Sequence, residues 1–208
     1  MNDVAATGRL IRCCWVLLRA DVLVPREVDP VLPPSVRTVA RTLRLFAGPA
    51  SRGGRPGQRL AKAFEHLGPA TIKLGQVLST RADIFGREFA DDLGRLKDQL
   101  PPFPTEVAKA AIAATLEQPV ESLFVEFGEP IAAASLAQAH AATLKDGRKV
   151  AVKVLRPGVE RRVANDLEML ALAARLTERF VEPARRLEPV AAIATVARSM
   201  TLELDLRL

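Results

Sequence analysis

A single lysine stands in an apolar segment where its charge could bind an anionic ligand. Val150-Ala151-Val152-Lys153 follows a two-residue Asp146-Gly147 turn, and a run of small residues, Ala132-Ala133-Ala134-Ser135, lies upstream. A charge buried in an apolar strand is costly unless an anion meets it. Small side chains let a backbone approach phosphate groups, although the Cβ of alanine restricts this more than glycine does. Lys153 is therefore a candidate phosphate-binding residue, and a solvated edge-strand lysine is the alternative.

A second polar group lies on a predicted helix. Lys73, Gln76, Thr80 and Asp83 recur at i, i+3, i+7 and i+10, so they share one face of a continuous helix. A lysine and an amide on one face can reach a phosphate or an acidic pocket, and an ordinary solvated face is the alternative. Gly75 costs such a helix roughly 1 kcal/mol relative to alanine. Its presence predicts that another backbone passes close by.

Two carboxylates, Glu203 and Asp205, lie near the end of the sequence on a predicted terminal helix. Residues at i and i+2 of a regular helix project about 200° apart, so these two cannot chelate one metal ion. One of them could meet Lys73 or Lys153 while the other faces elsewhere. Without further context, an ordinary surface pair is the alternative.

The spacing of apolar residues and of helix breakers predicts an α+β chain that positions these side chains. Helices are predicted over the first 25 residues or so, Ser35–Phe46, Gln58–Ala82 with a break at Gly68-Pro69, Thr105–Leu116, Val159 to Pro183, and from near Leu187 onward. A short strand or turn is predicted over Leu123–Phe127, two strands around the small-residue loop over Pro130–Leu144, and a strand over Val150–Leu155. Turn-rich connections are predicted over Val24–Pro34, Gly48–Gly57 and Pro101–Pro104.

Composition favours an anionic partner. The chain has 208 residues, is 49% hydrophobic and carries a net charge of +6, which suits nucleotide, acidic membrane or nucleic acid. Nucleic acid is disfavoured because aromatic residues total 4% and tyrosine is absent from the sequence. The neighbouring Cys13 and Cys14 are predicted to be free thiols in a reducing compartment. Together with the isolated His66 and His140, they predict no metal site.

The apolar run Cys13–Leu18 is closely flanked by arginines and is too short to span a membrane. It also lacks the small-residue cleavage site of a signal peptide. A basic amphipathic helix is predicted instead. Such a helix either packs on the body of the protein or lies on an acidic membrane surface.

Taken in order, these segments resemble the atypical kinase-like family known as UbiB, ABC1 or ADCK. Lys73-Leu74-Gly75-Gln76 is similar to its Lys-x-Gly-Gln motif, and Ala132-Ala133-Ala134-Ser135 to its alanine-rich loop. Val150-Ala151-Val152-Lys153 resembles its nucleotide lysine strand, and Glu203-Leu204-Asp205 its Glu-x-Asp motif. The resemblance covers roughly Phe64 to the C-terminus.

The resemblance implies a protein-kinase-like N-lobe, a small antiparallel sheet with helices, preceded by a helical N-terminal extension. Three segments follow: basic amphipathic helices over 1–47, a helical extension with the Lys-x-Gly-Gln motif over 58–116, and the N-lobe over 117–208. It further implies that Lys73 and Gln76 cover the active site and that Glu203 and Asp205 face them. Nucleotide contacts would come from Lys153 and from Ala132, Ala133, Ala134 and Ser135.

Members of this family bind ATP or ADP with Mg²⁺ and support ubiquinone biosynthesis, as ATPases or small-molecule kinases. The resemblance therefore implies a bacterial cytoplasmic protein at the periphery of the inner membrane, with quinone-precursor lipids and ubiquinone biosynthesis proteins as partners. An older name for some members, 2-polyprenylphenol 6-hydroxylase, finds no support because the sequence has no flavin fingerprint and no metal triad. A non-catalytic module that docks on the membrane or on the biosynthetic complex is the alternative.

The sequence departs from the family pattern in one respect. After Lys153 it has neither a His-x-Asp catalytic loop nor the Asp-Phe-Gly metal site of the family's C-lobe. The triplet Glu126-Phe127-Gly128 is similar to that metal site, but it lies before the lysine strand and begins with glutamate, so it is not a match. The Mg²⁺ ligands are expected from that lobe. We therefore expect these 208 residues to be a fragment that does not turn over ATP alone.

Overall fold

The computed structural model describes residues 3–23, 26, 34–48, 53–96 and 100–206, which form helices and a three-stranded antiparallel sheet. The helices are α1 (Asp3–Arg19), α2 (Pro34–Leu43), α3 (Pro56–Leu67), α4 (Pro69–Ser79), α5 (Ala82–Phe85), α6 (Arg87–Gly94), α7 (Thr105–Leu116), α8 (Val120–Leu123), α9 (Val159–Phe180) and α10 (Pro189–Leu204). The strands are β1 (Phe124–Ala133), β2 (Ala137–Leu144) and β3 (Lys149–Leu155). This content confirms the predicted α+β fold of a kinase-like N-lobe with a helical extension.

The chain divides into two compact units. The helical unit comprises residues 1–97 and 163–200, and the sheet unit comprises residues 98–162 and 201–208. The predicted segments 1–47, 58–116 and 117–208 follow the order of the sequence, whereas each compact unit combines residues from two separate stretches. The three-segment division stays a prediction.

Most predicted helices form close to their expected bounds. Helix α7 begins and ends at the predicted residues, and the helix predicted over Ser35–Phe46 is α2 followed by a 3-10 turn over Arg44–Phe46. The helix predicted to reach Pro183 ends at Phe180, and a 3-10 turn over Glu182–Leu187 follows it. Residues 24–25 and 27–33 of the connection predicted over Val24–Pro34, and residues 49–52 of the one over Gly48–Gly57, lie outside the described residues.

Helix α1 forms where a helix was predicted, with Ala6 and Cys13 buried on its inner face. Cys13 and Cys14 are free thiols, as predicted. Cys13 is buried, and burial is the main cause that raises the pKa of its thiol to about 11. This thiol therefore stays protonated and packs as a small apolar side chain. In the described part of the chain, no helix combines the length and the apolar composition that crossing a bilayer requires.

The core of the helical unit lies where α3, α4 and α6 meet. Phe64, Leu93 and Leu96 are buried there, and Leu17 of α1 and Leu74 of α4 pack against them. The break between α3 and α4 has the predicted form: Gly68 has φ 127°, a conformation that side chains disfavour, and Pro69 opens the next helix. This turn brings the Lys-x-Gly-Gln helix against α3.

Gly75 is buried in α4 for a reason that differs from the predicted one. A Cβ at Gly75 would lie 2.2 Å from Cδ1 of Leu96 and 2.9 Å from Cδ2 of Phe64. The predicted close approach is therefore made by two side chains of the core and not by a second backbone. The glycine is required because α4 packs directly on the Phe64 ring and on Leu96.

A buried carboxylate joins the end of α1 to neighbouring segments of the helical unit. The Asp21 side chain is 1% exposed, and its oxygens lie 2.6 Å from Nε of Arg26 and 3.3 Å from Nε of Arg44. Arg59 of α3 donates from Nη2 to the Asp21 carbonyl oxygen at 3.2 Å. A buried charge is tolerated only when paired in this way. Asp21 thus fixes where α1 ends.

A second buried carboxylate, Asp92 of α6, pairs with Arg55 at the start of α3. Nε of Arg55 donates to Oδ2 of Asp92 at 3.0 Å, and Nη2 donates to Oδ1. The Asp92 residue is 2% exposed. The hydrogen-bonded guanidinium lowers the pKa of the Asp92 carboxyl below its usual 3.8. The pair therefore links the stability of the helical unit to pH.

We expect the helical unit to lose stability in acid through Asp92. A carboxyl whose pKa is lower in the folded than in the unfolded state stabilises the fold above about pH 4, and this contribution is lost as pH falls through the folded value. Urea denaturation followed by tryptophan fluorescence at neutral pH and at about pH 3 measures the loss. Asp92→Asn should reduce the difference between the two conditions. The exposed neighbour Asp91 provides the control, and an equal effect of Asp91→Asn would contradict the assignment.

The sheet has the strand order β1-β2-β3, and both pairings are antiparallel. Asp146 and Gly147 form the predicted turn between β2 and β3, where Gly147 has φ 86°. The segments predicted separately over Leu123–Phe127 and from Pro130 form one strand, β1, which is interrupted by shifts in register around Pro130. Proline lacks the N–H that a regular ladder needs, and it is tolerated because β1 lies at the edge of the sheet.

Candidate functional site

Strand β3 presents two different faces. Val150, Val152 and Val154 point to the apolar core of the sheet unit, where they pack with residues of α7 and β1. Ala151 and Lys153 alternate with them, so they point to the opposite face, and both are exposed. Because successive side chains of a strand point to opposite faces, the long Lys153 side chain lies on the face away from the apolar core.

A row of two small residues and one lysine crosses this outer face. Ala132 of β1 pairs with Ala139 of β2, and Ala139 pairs with Lys153 of β3. Paired residues of an antiparallel ladder lie on the same face of the sheet. The two alanine methyl groups leave open surface beside the lysine. A flat or anionic ligand could approach the backbone of β1 and β2 here and reach the ammonium group.

Lys153 also borders a cavity of about 750 Å³ in the sheet unit. Asp205 lines the same cavity, together with apolar residues of α7 such as Ile112. Within the described residues, Lys153 forms no ion pair with a carboxylate, and it is exposed. The sequence predicts Lys153 to be a charge within a buried strand, whereas the structure shows its side chain to be exposed. Its charge is open to an anion.

The alanine-rich loop is shorter than predicted. Ala132 and Ala133 belong to β1, and the connection to β2 consists of Ala134, Ser135 and Leu136. The Ala134 N–H donates to the Ala137 carbonyl oxygen at 2.8 Å, which closes the turn. Strand pairing extends into the alanine run, which alanine permits because its Cβ disfavours the positive φ values that glycine adopts freely.

Arg156, just past the end of β3, fixes this loop from the side. Its Nε donates to the Ala134 carbonyl oxygen at 2.9 Å, and its Nη2 donates to the Pro101 carbonyl oxygen at 2.9 Å. The guanidinium carbon lies 5.5 Å from the centre of the Phe103 ring. Arg156 is thus a positioning residue for the loop. The only sign of it in the sequence is its place in Arg156-Pro157-Gly158, directly after the strand.

Two buried polar side chains hold the segment before α7 on the sheet. Gln138 accepts from the Phe103 N–H at 2.9 Å and donates to the Phe103 carbonyl oxygen at 3.0 Å. His140 is fully buried, its Nδ1 lies 2.8 Å from the Gly128 carbonyl oxygen, and its Nε2 lies 2.8 Å from Nε2 of Gln138. Because a carbonyl oxygen can only accept, Nδ1 carries the proton and Nε2 accepts from Gln138. This network was not predicted, since its partners are backbone groups far away in sequence.

Glu203 and Asp205 do not lie on one regular helix. Glu203 belongs to the last turn of α10, whereas Asp205 follows the end of the helix at Leu204. The Asp205 N–H still bonds the Thr201 carbonyl oxygen at 3.1 Å. Asp205 lines the cavity beside Lys153, and both carboxylates are half-buried.

Lys73 and Gln76 lie in the helical unit, on α4, where both are half-buried. The shared face predicted for four residues is shorter than expected because α4 ends at Ser79. Thr80 follows it, and Asp83 belongs to the separate helix α5, where it pairs with Arg81 at 3.0 Å. The prediction was wrong for Asp83. The predicted spacing ran past the end of α4, because the sequence there has neither the glycine nor the proline that would have indicated a helix end.

The structure thus brings together the predicted nucleotide residues of the sheet unit. Lys153 and the alanine-rich loop belong to it, and Ala132 and Lys153 share one row on its outer face. Asp205, for which the resemblance implies a catalytic role, belongs to the same unit. This face fits an adenine nucleotide in chemistry, with an open cation beside small residues. For Mg²⁺, the described residues contain no group of three or more His, Cys, Asp or Glu side chains placed to hold an ion.

Comparison with known proteins adds the decisive observation. Residues 95–208 match the model of the ABC1 atypical kinase-like domain. The chain belongs to the ABC1 atypical kinase-like family. It is 42% identical over 203 residues to "Probable protein kinase UbiB" of Marinobacter nauticus, covering 96% of this chain and 36% of that protein.

UbiB proteins of other bacteria are similar to the same degree. Those of Shewanella baltica strain OS155 and Shewanella putrefaciens strain CN-32 are each 41% identical over 187 residues, covering 87% of this chain and 34% of each relative. The chain therefore spans about a third of the length of the curated ABC1 relatives that it matches. The resemblance to UbiB, read from four short motifs, is confirmed.

Proposed function

We propose that this ABC1-family chain binds ATP or ADP on the outer face of its sheet, as part of an atypical kinase or ATPase of ubiquinone biosynthesis. The observation that carries the proposal is the row Ala132–Ala139–Lys153 across the three strands. It gives an adenine nucleotide an open surface and a cation within one site. Phosphoryl transfer or hydrolysis is proposed for a protein of the relatives' full length.

The proposed chemistry rests on three roles. Lys153 would meet the α- and β-phosphates, because a lysine presents a compact charge with three donors. The loop Ala134–Leu136 would cover the phosphates, with its shape set by Arg156. Magnesium would neutralise phosphate charge when bound; Asp205 and Glu160 are the carboxylates that line the cavity beside Lys153 and would be available to it.

In the helical unit, the α4 side chains Leu74 and Leu78 pack on the core, which leaves Lys73 and Gln76 on the more polar side of the helix. The catalytic roles that the family motifs imply for Lys73, Gln76, Glu203 and Asp205 stay proposals.

Equilibrium binding of ADP, measured by isothermal titration calorimetry, tests the nucleotide site. Lys153→Ala should weaken binding about tenfold, because a charge-assisted contact to phosphate is lost. Lys149→Ala is the matched control, since Lys149 lies on the same strand and the same face and is also exposed. We expect it to change affinity by less than about twofold.

Equal effects of the two lysine variants would contradict the proposal, because they would reduce Lys153 to one basic charge among several. Absence of ADP binding by the chain would favour the alternative function, a docking module without a nucleotide. Measurement of ADP binding therefore distinguishes a nucleotide-binding protein from a docking module.

A role in ubiquinone biosynthesis is supported by the similarity to proteins named UbiB. Quinone-precursor lipids and other proteins of that biosynthesis are the proposed partners. Ubiquinone content, extracted from a bacterial strain that lacks its own UbiB and expresses the gene that encodes this chain, tests the role. Ubiquinone should be restored by the wild type and not by Lys153→Ala; equal restoration would separate the biological role from nucleotide binding.

A further inference from the structure

Helix α1 carries apolar side chains on its outer face as well as on its inner one. Its inner face packs through Ala6, Cys13 and Leu17, of which Leu17 reaches the core of the helical unit. Its outer face holds Ile11 and Trp15, which are 65% and 45% exposed, and Val4 continues the same stripe seven residues before Ile11. A helix that only packed on the protein would be polar on this side.

The 3-10 turn after α2 extends this outer face. Leu45 and Phe46 are 81% and 54% exposed, and the Phe46 ring centre lies 6.1 Å from that of Trp15. Arg12 is exposed on α1, and the exposed Arg19 places its guanidinium carbon 5.9 Å from the Trp15 ring centre. We name this surface the aromatic–basic face; it comprises Val4, Ile11, Arg12, Trp15, Arg19, Leu45 and Phe46.

We propose that the aromatic–basic face docks on the surface of an anionic lipid bilayer. Tryptophan and phenylalanine suit the boundary between headgroups and acyl chains, and arginines beside them attract anionic headgroups. The charged members of the face are arginines, and among the described residues neither Arg12 nor Arg19 forms an ion pair with a carboxylate. A second copy of the same face would bring arginine against arginine, so a lipid surface is the better complement.

The face is held in shape before any ligand arrives. The Gly48 N–H donates to the Arg19 carbonyl oxygen at 2.9 Å, which ties the end of α1 to the residues after the 3-10 turn. The buried Asp21 pairs with Arg44 of that turn at 3.3 Å. Docking therefore does not require the face to become ordered first, and the cost of binding is correspondingly small.

This proposal does not depend on nucleotide binding. The aromatic–basic face belongs to the helical unit, whereas Lys153 and the alanine-rich loop belong to the sheet unit. Failure of one proposal leaves the other intact, because each is tested with its own ligand and its own variants.

Trp15 makes the test specific to the face, because it is the single tryptophan of a chain without tyrosine. The purified 208-residue chain is mixed with vesicles of phosphatidylcholine, with or without phosphatidylglycerol. With the anionic vesicles, Trp15 emission should shift to shorter wavelength and be quenched by brominated acyl chains. Neutral vesicles should give little change, and added salt should reverse the binding.

Matched variants separate the apolar and basic contributions. Ile11→Glu should abolish the shift, whereas Ile131→Glu should not, although both isoleucines are 65% exposed. The double variant Arg12→Gln/Arg19→Gln should weaken vesicle co-sedimentation about 30-fold. Arg161→Gln/Arg162→Gln, at exposed positions of α9, removes the same net charge and should have a small effect. Circular dichroism verifies that each variant remains folded.

Three outcomes would overturn the proposal. Vesicle binding without a change in Trp15 emission would place the lipid contact elsewhere. Equal losses in the matched variants would show a dependence on net charge alone. A shift that grows with protein concentration in the absence of lipid would identify the occupant as a second copy of the chain.

Discussion

Replacing Gln138 with leucine is expected to lower the free energy of unfolding of the chain by about 3 kcal/mol, because it leaves one buried and two part-buried polar groups without their partner. The groups are the N–H and the carbonyl oxygen of Phe103 and Nε2 of His140. Each such group costs about 1–3 kcal/mol when it is neither solvated nor bonded. Leucine has a similar volume, so the loss would report the hydrogen bonds and not a cavity.

Urea denaturation followed by circular dichroism measures this loss, and hydrogen exchange of the β2 amides locates it in the sheet unit. Gln118→Leu makes the same chemical change at an exposed position and should alter stability by less than about 0.5 kcal/mol. A Gln138→Leu variant within that range of the wild type would show that water replaces the lost partners.

Replacing Gly75 with leucine is the second large effect that we expect, at about 3 kcal/mol of lost stability. Its Cβ alone would lie 2.2 Å from Leu96 and 2.9 Å from the Phe64 ring, and leucine adds three further carbons. Helix propensity acts in the opposite direction, since glycine is about 1 kcal/mol worse than alanine or leucine in a helix. The loss therefore measures overpacking of the core.

Gly8 supplies the control, because it lies within α1 and no atom lies within 4 Å of the position of its Cβ. Gly8→Leu should stabilise the chain by up to about 1 kcal/mol, so the same substitution has opposite signs at the two glycines. Trp15 fluorescence during urea denaturation follows both variants. A destabilising Gly8→Leu would show that features of leucine other than contact with the core determine the result.

A second background tests the contact itself. In a Leu96→Ala variant the nearest obstacle to a side chain at position 75 is removed while the Phe64 ring remains, so Gly75→Ala should cost less stability there than in the wild type. If Gly75→Ala costs the same in both backgrounds, Leu96 is not the residue that requires the glycine.

The sequence predicted best what depends on neighbours in the chain. Helix α7 begins after Pro104, as expected of a helix that follows prolines, and the strand predicted over Val150–Leu155 forms as β3. Even the family was readable, because its motifs are short segments with fixed spacing.

Features that depend on distant partners could not be predicted. Nothing local indicates that Gln138 and His140 turn inward to bind Phe103 and Gly128, because polar residues in a strand ordinarily face water. Likewise the shared face of Lys73 and Asp83 failed, since α4 ends without the glycine or proline that marks most helix ends.

His140 gives the sheet unit a spectroscopic marker of its own. Both ring nitrogens are occupied, one as donor to Gly128 and one as acceptor from Gln138, so a single tautomer exists and its N–H is closed to water. The other histidine of the chain, His66, is exposed and exchanges freely. A slowly exchanging imidazole proton therefore reports the sheet unit, while Trp15 fluorescence reports the helical unit. The integrity of the two halves can be followed independently in one unlabelled sample.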